Sequence, residues 1–404
     1  MKATLPAIAL CLFLGHAPAT LQGQQPAAPA TPPPAPGSTQ PNVTPAFDWD
    51  RAMALHRRVQ GGETLKGDEL TFYQEASRRV RAGENPNQGG RGNSPISPQN
   101  RRNAGGTFTP SEESKGLVPL TELTGTYKEM DGGLYGSGKN TPPPAQQKLA
   151  DQALAAIKPL DAEGKPAASG KIVLMSIGMS NATQEFSTFV TMANRDSQKS
   201  PQVTIVDSAQ GAQTAIVCAN PDARPWGVAE ERLRAAGVTP QQVQVLWIKQ
   251  ANGGPRRGLE EMKVLQGHMQ QVVANARTKY PNVKLAFLAS RTYGGYAQTP
   301  LNPEPYAYEG AFAMRGLILQ QMGGDAALQA DLSKGATKAP VLLWGPYLWG
   351  AGATPRKADG LTWLPEDFSD DGTHPSRSGQ QKVGKLLLDF FTTDANANPW
   401  FMKK

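Results

Sequence analysis

A chain of 404 residues with two cysteines can hold two or three domains and cannot be a disulfide-stapled miniprotein, so a buried core must hold it together. Its net charge of +7 is spread over short basic doublets such as Arg57–Arg58 and Arg256–Arg257. With no long basic run interleaved with aromatics, this argues against a nucleic-acid partner and for a mildly basic surface suited to acidic glycans or cell-envelope polymers.

The first segment, Met1–Lys2 followed by the apolar LPAIALCLFLG, is too short to span a bilayer, where about 20 residues are needed. Ala17-Pro18-Ala19 then offers a small-x-small cleavage pattern, so residues 1–22 are expected to be a cleaved secretory signal and the mature protein secreted or periplasmic. A lipoprotein processed at Cys11 is the alternative, with Leu10 a poor fit before it. No later apolar run is long enough for a membrane span. Residues 23–45, rich in Gln, Ala and Pro, form a semi-rigid linker. Residues 46–110 are expected to be a helical hairpin broken at Gly61–Gly62 and followed by a flexible loop. His56 falls in the hairpin without a second ligand at metal spacing, so it is assigned a structural or surface role.

Residues 111–170 form a Gly- and Pro-rich lead-in. Within it GLYGSGKN, 133–140, nearly matches a phosphate-binding loop. Asn140 stands where a hydroxyl would bind Mg²⁺, no buried strand precedes the segment, and TPPP follows where a helix should begin. A glycine-rich cover strapped against the next domain is the better expectation, with Tyr135 reaching a cleft; no nucleotide partner is expected.

From 171 to 395 the pattern becomes regular. Apolar runs at 171–177, 203–206, 243–248, 283–288 and 340–344 alternate with helical stretches, including a last one over 378–392. Near-continuous apolar strands separated by helices predict an α/β fold, a doubly wound five-stranded parallel sheet in a flavodoxin-like three-layer sandwich, with the small helical extension N-terminal to it. Cys218, the one cysteine left after signal removal, lies in TAIVCANPD and is expected to be a buried apolar position.

In such a sheet, ligands bind at the loops after the strands. Strand one ends in Gly178-Met179-Ser180-Asn181. Strand two leads to Gly211, and strand three to Asn252. After strand five comes DDGTHP, with Asp371 and His374 three residues apart. Together these supply a nucleophile (Ser180), a base (His374), a carboxylate to orient it (Asp371) and two oxyanion donors (the Gly211 N–H and the Asn252 amide). Each residue also has a plain structural reading: Ser180 and Asn181 as helix caps, Gly211 and Asn252 as turn residues, Asp371 as a cap of the last helix. Asp367, Asp370, Asp371 and His374 form an acidic cluster, but without HExxH or a Cys/His set no metal is assigned. Gly-x-Ser-x-Gly is absent from the chain.

The four blocks resemble those of the SGNH (GDSL-type) hydrolase superfamily over roughly 170–395. GMSN is similar to the Gly-Gln-Ser-Asn form of sialate and xylan acetylesterase-like members, and DGTHP is the most specific match. The first block lacks the Asp of Gly-Asp-Ser, and the third reads Gln250-Ala251-Asn252 where the family has Gly-x-Asn. The resemblance implies a secreted serine ester hydrolase that needs no cofactor. Its expected substrate is an acylated carbohydrate or another ester, with acetyl or similar acyl groups removed. Aromatics after strands four and five, chiefly Tyr293, Tyr296 and Trp349, are expected to line the substrate site, the alternative being that they pack long loops. Rival functions are a non-catalytic glycan-binding envelope protein on the same fold and a hydrolase directed at lipids or thioesters. Asn42-Val43-Thr44 and Asn181-Ala182-Thr183 are glycosylation sequons; a glycan on the second would block Ser180, which favours a bacterial exporter.

Overall fold

The computed structural model describes residues 47–48, 51–52, 54–55, 65–81, 108–253 and 258–403. The signal, the linker, His56 and nearly all of the loop at 84–110 lie outside them. The chain divides into two compact units, residues 1–95 and 96–404. In the first, helix α1 (Gly67–Arg81) carries Phe72, whose ring stacks on Phe47 with centroids 4.9 Å apart, and the Arg51 guanidinium lies over Phe72.

The second unit is built on a five-stranded, all-parallel sheet. Its strands are β1 (Ile172–Gly178), β2 (Val203–Val206), β3 (Val243–Lys249), β4 (Leu285–Ala289) and β5 (Val341–Trp344). Every residue of β1, β3, β4 and β5 is buried, as a sheet covered on both faces requires. The spatial order is β2-β1-β3-β4-β5. The chain steps outward once, from β1 to β2, then returns past β1 and continues the other way. Right-handed crossovers then put α3 (Ser180–Ala193) on one face, and α4 (Arg224–Ala235), α5 (Leu259–Lys279) and α6 (Tyr306–Met322) on the other. After β5 the final α7 (Arg377–Thr393) returns to pack on α3. On that face Phe186 stacks on Trp247 at 5.3 Å, and Phe287 meets Phe390 and Phe391 edge-on. The reversal of direction between β1 and β3 opens the crevice where doubly wound sheets bind ligands.

The lead-in and the tail belong to this same unit, so it reaches beyond 171–395 on both sides. Helix α2 (Pro144–Ala156) buries Gln146, Ala150 and Ala153. At the other end Phe401 is fully buried against Phe189 and Phe391, with Trp400 beside it. The outer edge of β5 is answered by side chains: Gln321 accepts from the Leu342 N–H at 2.8 Å, Gln146 donates to the Leu342 carbonyl at 2.8 Å, and the Tyr135 hydroxyl accepts from the Trp344 N–H. Tyr135 therefore packs on the sheet edge instead of reaching a cleft. The glycine-rich segment around it turns its N–H groups onto its own chain. Gly136 donates to Gly133, Gly138 to Gly132 and Lys139 to Gly136, while Ser137 donates to the Asp131 carboxylate.

Candidate active site

Ser180, His374 and Asp371 form one hydrogen-bonded chain. Ser180 Oγ lies 2.8 Å from His374 Nε2, and His374 Nδ1 lies 2.5 Å from Asp371 Oδ2. The other Asp371 oxygen accepts from the Thr373 and His374 N–H groups at 3.0 and 2.9 Å. Partial burial alone would push this carboxyl up. The ring and backbone hydrogen bonds outweigh it and draw the group down to about 2. An ionised Asp371 is acceptor-only, so Nδ1 must carry the imidazole proton and Nε2 is left to accept from Ser180. Both Ser180 and His374 are half-buried and thus reachable from solvent.

The capping alternatives do not describe what the side chains do. The N-cap of α3 is Met179, with no side-chain bond; Ser180 is the first helical residue. Asn181 sends Nδ2 to the Thr373 carbonyl at 2.8 Å and is 3% exposed, a position closed to a glycan in the folded chain. Helix α7 is capped by Ser376, whose Oγ accepts from Gly379, leaving Asp371 to the histidine.

Gly211 sits on an exposed loop, and a Cβ built on it would lie 3.9 Å from Ser180 Cβ. Neither the Gly211 N–H nor the Ser180 N–H has an acceptor among the described residues, and the latter opens the positive end of α3. The loop is braced from below. Ser176 Oγ donates to Asp207, as do Thr183 and Ser187 from α3, and Ser176 Oγ accepts from Ser208 and Ala209. Gln250, unusual for the third block, donates to the Gln213 carbonyl at 3.0 Å. The Ala251 carbonyl receives the Ala215 N–H.

Asn252 is more heavily engaged than expected. Its Nδ2 donates to Glu261 Oε1 at 2.7 Å, and its Oδ1 faces His268 Nδ1 at 3.1 Å. One amide N–H is thus committed to Glu261 and one remains. The aromatics expected as substrate contacts are a correction: Tyr293 and Tyr296 are each 3% exposed and Trp349 is fully buried. The Tyr293 hydroxyl donates to Ser114 Oγ, that of Tyr296 to the Trp363 carbonyl, and Trp349 Nε1 to Glu304. They pack the long loops after β4 and β5, because rings this large stabilise irregular backbone only when buried with their polar ends paired. Glu304 is the hub, also accepting from the Gly294 and Tyr308 N–H groups; burial raises its carboxyl to about 7.

Cys218 is buried as expected, its thiol pushed up to about 12 by burial, and hence unreactive. Asp367 pairs with Lys382 and accepts from Ser378.

Beneath the site lies a buried ion pair; Lys249 is unusual beside the third block in the sequence, but its partner Glu185 is not evident there. Lys249, the last residue of β3, puts Nζ 2.6 and 2.5 Å from the two oxygens of Glu185, one turn along α3 from Ser180, and neither side chain is exposed. Arg291 is buried close enough for Glu185 to oppose the lowering of its pKa, with Nε on Asn302 and Nη1 without an acceptor among the described residues. A Lys directly after the apolar run VQVLWI was the available signal.

No protein-family model and no curated protein matches the sequence. Among solved structures, the chain is similar to a carbohydrate esterase family 3 from Talaromyces cellulolyticus, at 12% identity and TM-score 0.33, over 54% of this chain and 94% of that one. It is also similar to the periplasmic domain of a lipopolysaccharide acetyltransferase from Salmonella ser. Paratyphi A (11%, TM-score 0.31, 55% and 84%). A third is an extracellular lipase from Streptomyces rimosus (12%, TM-score 0.28, 54% and 99%). At such identities and TM-scores, a functional reading rests on the site alone.

Proposed function

We propose that the chain is a serine ester hydrolase of the SGNH type, exported, and removing acetyl or similar acyl groups from carbohydrate. The observation that carries the hydrolase reading is the continuous Ser180–His374–Asp371 chain beside two N–H groups with no acceptor among the described residues. Ser180 Oγ attacks the acyl carbonyl as its proton passes to His374 Nε2, and Asp371 stabilises the imidazolium. The carbonyl oxygen, now an oxyanion, takes hydrogen bonds from the Ser180 and Gly211 N–H groups and the remaining N–H of Asn252. Collapse expels the alcohol, which takes the proton from His374. Water then enters, gives its proton to the same nitrogen and releases the acid, restoring Ser180. General-base help is worth ~10²–10⁴ and each oxyanion donor on the order of 10²–10³ in kcat. The carbohydrate acyl group rests on the GMSN and DGTHP resemblance, since the aromatics are occupied in packing.

Intact-mass labelling with a fluorophosphonate tests the chemistry. One adduct on wild type, absent from Ser180→Ala and slow to form on His374→Ala, is expected. A folded wild type that takes no label points instead to a non-catalytic glycan-binding protein. Acetylated xylan, acetyl-sialic acid and aryl esters then test the substrate; hydrolysis of aryl esters alone would remove the carbohydrate assignment.

A further inference from the structure

Resting on the hydrolase reading, we propose that Asn181 is a positioning residue that sets His374 against Ser180. One peptide unit joins Thr373 to His374, and both of its polar ends are held. Its N–H donates to Asp371 Oδ1 at 2.9 Å, and its carbonyl accepts from Asn181 Nδ2 at 2.8 Å. The next carbonyl, that of His374, accepts from the Ser369 N–H at 2.8 Å. A peptide plane fixed at both ends fixes the direction of the following Cα–Cβ bond, and with it the place of Nε2.

What singles out Asn181 is where its bond comes from. The Asp371 and Ser369 bonds are internal to the loop that carries His374 and would travel with it. Asn181 is the neighbour of Ser180 in the chain, 192 residues from its acceptor. Among the described residues, and apart from the Ser180–His374 bond itself, its bond is the hydrogen bond that registers the loop against the nucleophile's own helix. Helical backbone holds Asn181 rigidly beside Ser180, and burial shields the bond from competing water. Gln298 N–H on the Asp371 carbonyl and the close seat of Gly372 on Tyr296 fix the loop to the neighbouring β4 connection, not to Ser180.

The test compares Asn181→Ala and Asn181→Leu, alone and combined with His374→Ala, in fluorophosphonate labelling and p-nitrophenyl acetate hydrolysis. Leu fills the same space without an N–H, so a fold lost in one variant leaves the other to decide; far-UV CD establishes that each is folded. Each single variant is expected to lose about 10²-fold in labelling rate and kcat, the scale of an ångström's misplacement, with KM within about twofold of wild type. In the His374→Ala background the same substitutions are expected to cost less than about threefold, because Asn181 acts through His374. Equal losses in both backgrounds, or a rise in KM with kcat unchanged, overturn the positioning role. So does a wild-type rate in folded variants of a labelled enzyme. A wild type that takes no label overturns the hydrolase reading itself, and the positioning role with it.

Discussion

Glu185 is the only carboxylate described within the buried group it forms with Lys249 and Arg291, and neutralising it is expected to be more costly than removing the lysine it touches. Both Glu185 and Lys249 are without exposure, and Arg291 is 4% exposed with Nη1 unanswered among the described residues. Glu185→Gln leaves two buried cations facing an amide. Uncompensated burial of this kind costs about 3–5 kcal/mol, a large share of the 5–15 kcal/mol typical of a whole domain. Lys249→Met takes away the lysine that bonds both Glu185 oxygens but leaves the Arg291 charge acting on them, and it removes a cation whose pKa burial already draws below that of an ordinary lysine, so its cost is expected to be the smaller of the two. Because the folded-state pKa of Lys249 lies below the unfolded value of 10.5, the native state binds fewer protons between the two, and stability rises with pH there. Without the Glu185 charge that holds it up, the folded-state pKa of Lys249 falls further in Glu185→Gln, so the variant's deficit should shrink as pH is raised to about 8 and stay level above it. Urea unfolding followed by far-UV CD, at neutral and alkaline pH, measures both effects. A Glu185→Gln variant within about 1 kcal/mol of wild type, or a Lys249→Met variant that loses more, would refute the assignment of one anion to two cations.

Three further outcomes follow from particular residues. Asp371→Asn should keep the fold and lower kcat for ester hydrolysis by about 10³–10⁴, since an amide no longer enforces the Nδ1–H tautomer; steady-state kinetics on an aryl ester reads this. Because the Asp371 carboxyl sits near 2 in the folded state against 3.8 unfolded, it adds stability above pH 3.8 that is lost as pH falls toward 2. Partial exposure holds this to about 1 kcal/mol, and Asp371→Asn should flatten acid unfolding in that window. Gly372→Ala would drive a Cβ to 1.8 Å from the Tyr296 carbonyl at a φ of +62°, so labelling of Ser180 should vanish. Glu129, exposed at a φ of 69° in the turn between the short strands Thr126–Tyr127 and Met130–Asp131, should gain about 1 kcal/mol as Glu129→Gly in thermal unfolding.

The sheet was legible because strands buried on both faces leave unbroken apolar runs, and the candidate residues because Ser180, Gly211 and Asn252 lie in the loops that follow strands and DDGTHP lies just before the last helix. What escaped has no local period. The Asn181–Thr373 bond spans most of the domain, and nothing in the tetrapeptide GMSN announces its acceptor. Rings in the loops after β4 and β5 look alike whether they face sugar or core, since irregular backbone imposes no alternation from which burial can be read. Trp400 and Phe401 lie past the last amphipathic stretch, where only tertiary packing reveals that they complete the core around Phe391.

The outer margin of β5 bears on how copies of this protein meet. An open strand margin is normally an invitation to another chain. Here the Leu342 and Trp344 groups that would extend the sheet are already held by Gln321, Gln146 and Tyr135. A second copy would have to displace three buried side chains before gaining its first ladder bond. That margin is closed to self-templated aggregation by amides and a phenol, without the lysines and prolines that more often guard such a place, and loss of Gln321 is the change that would reopen it.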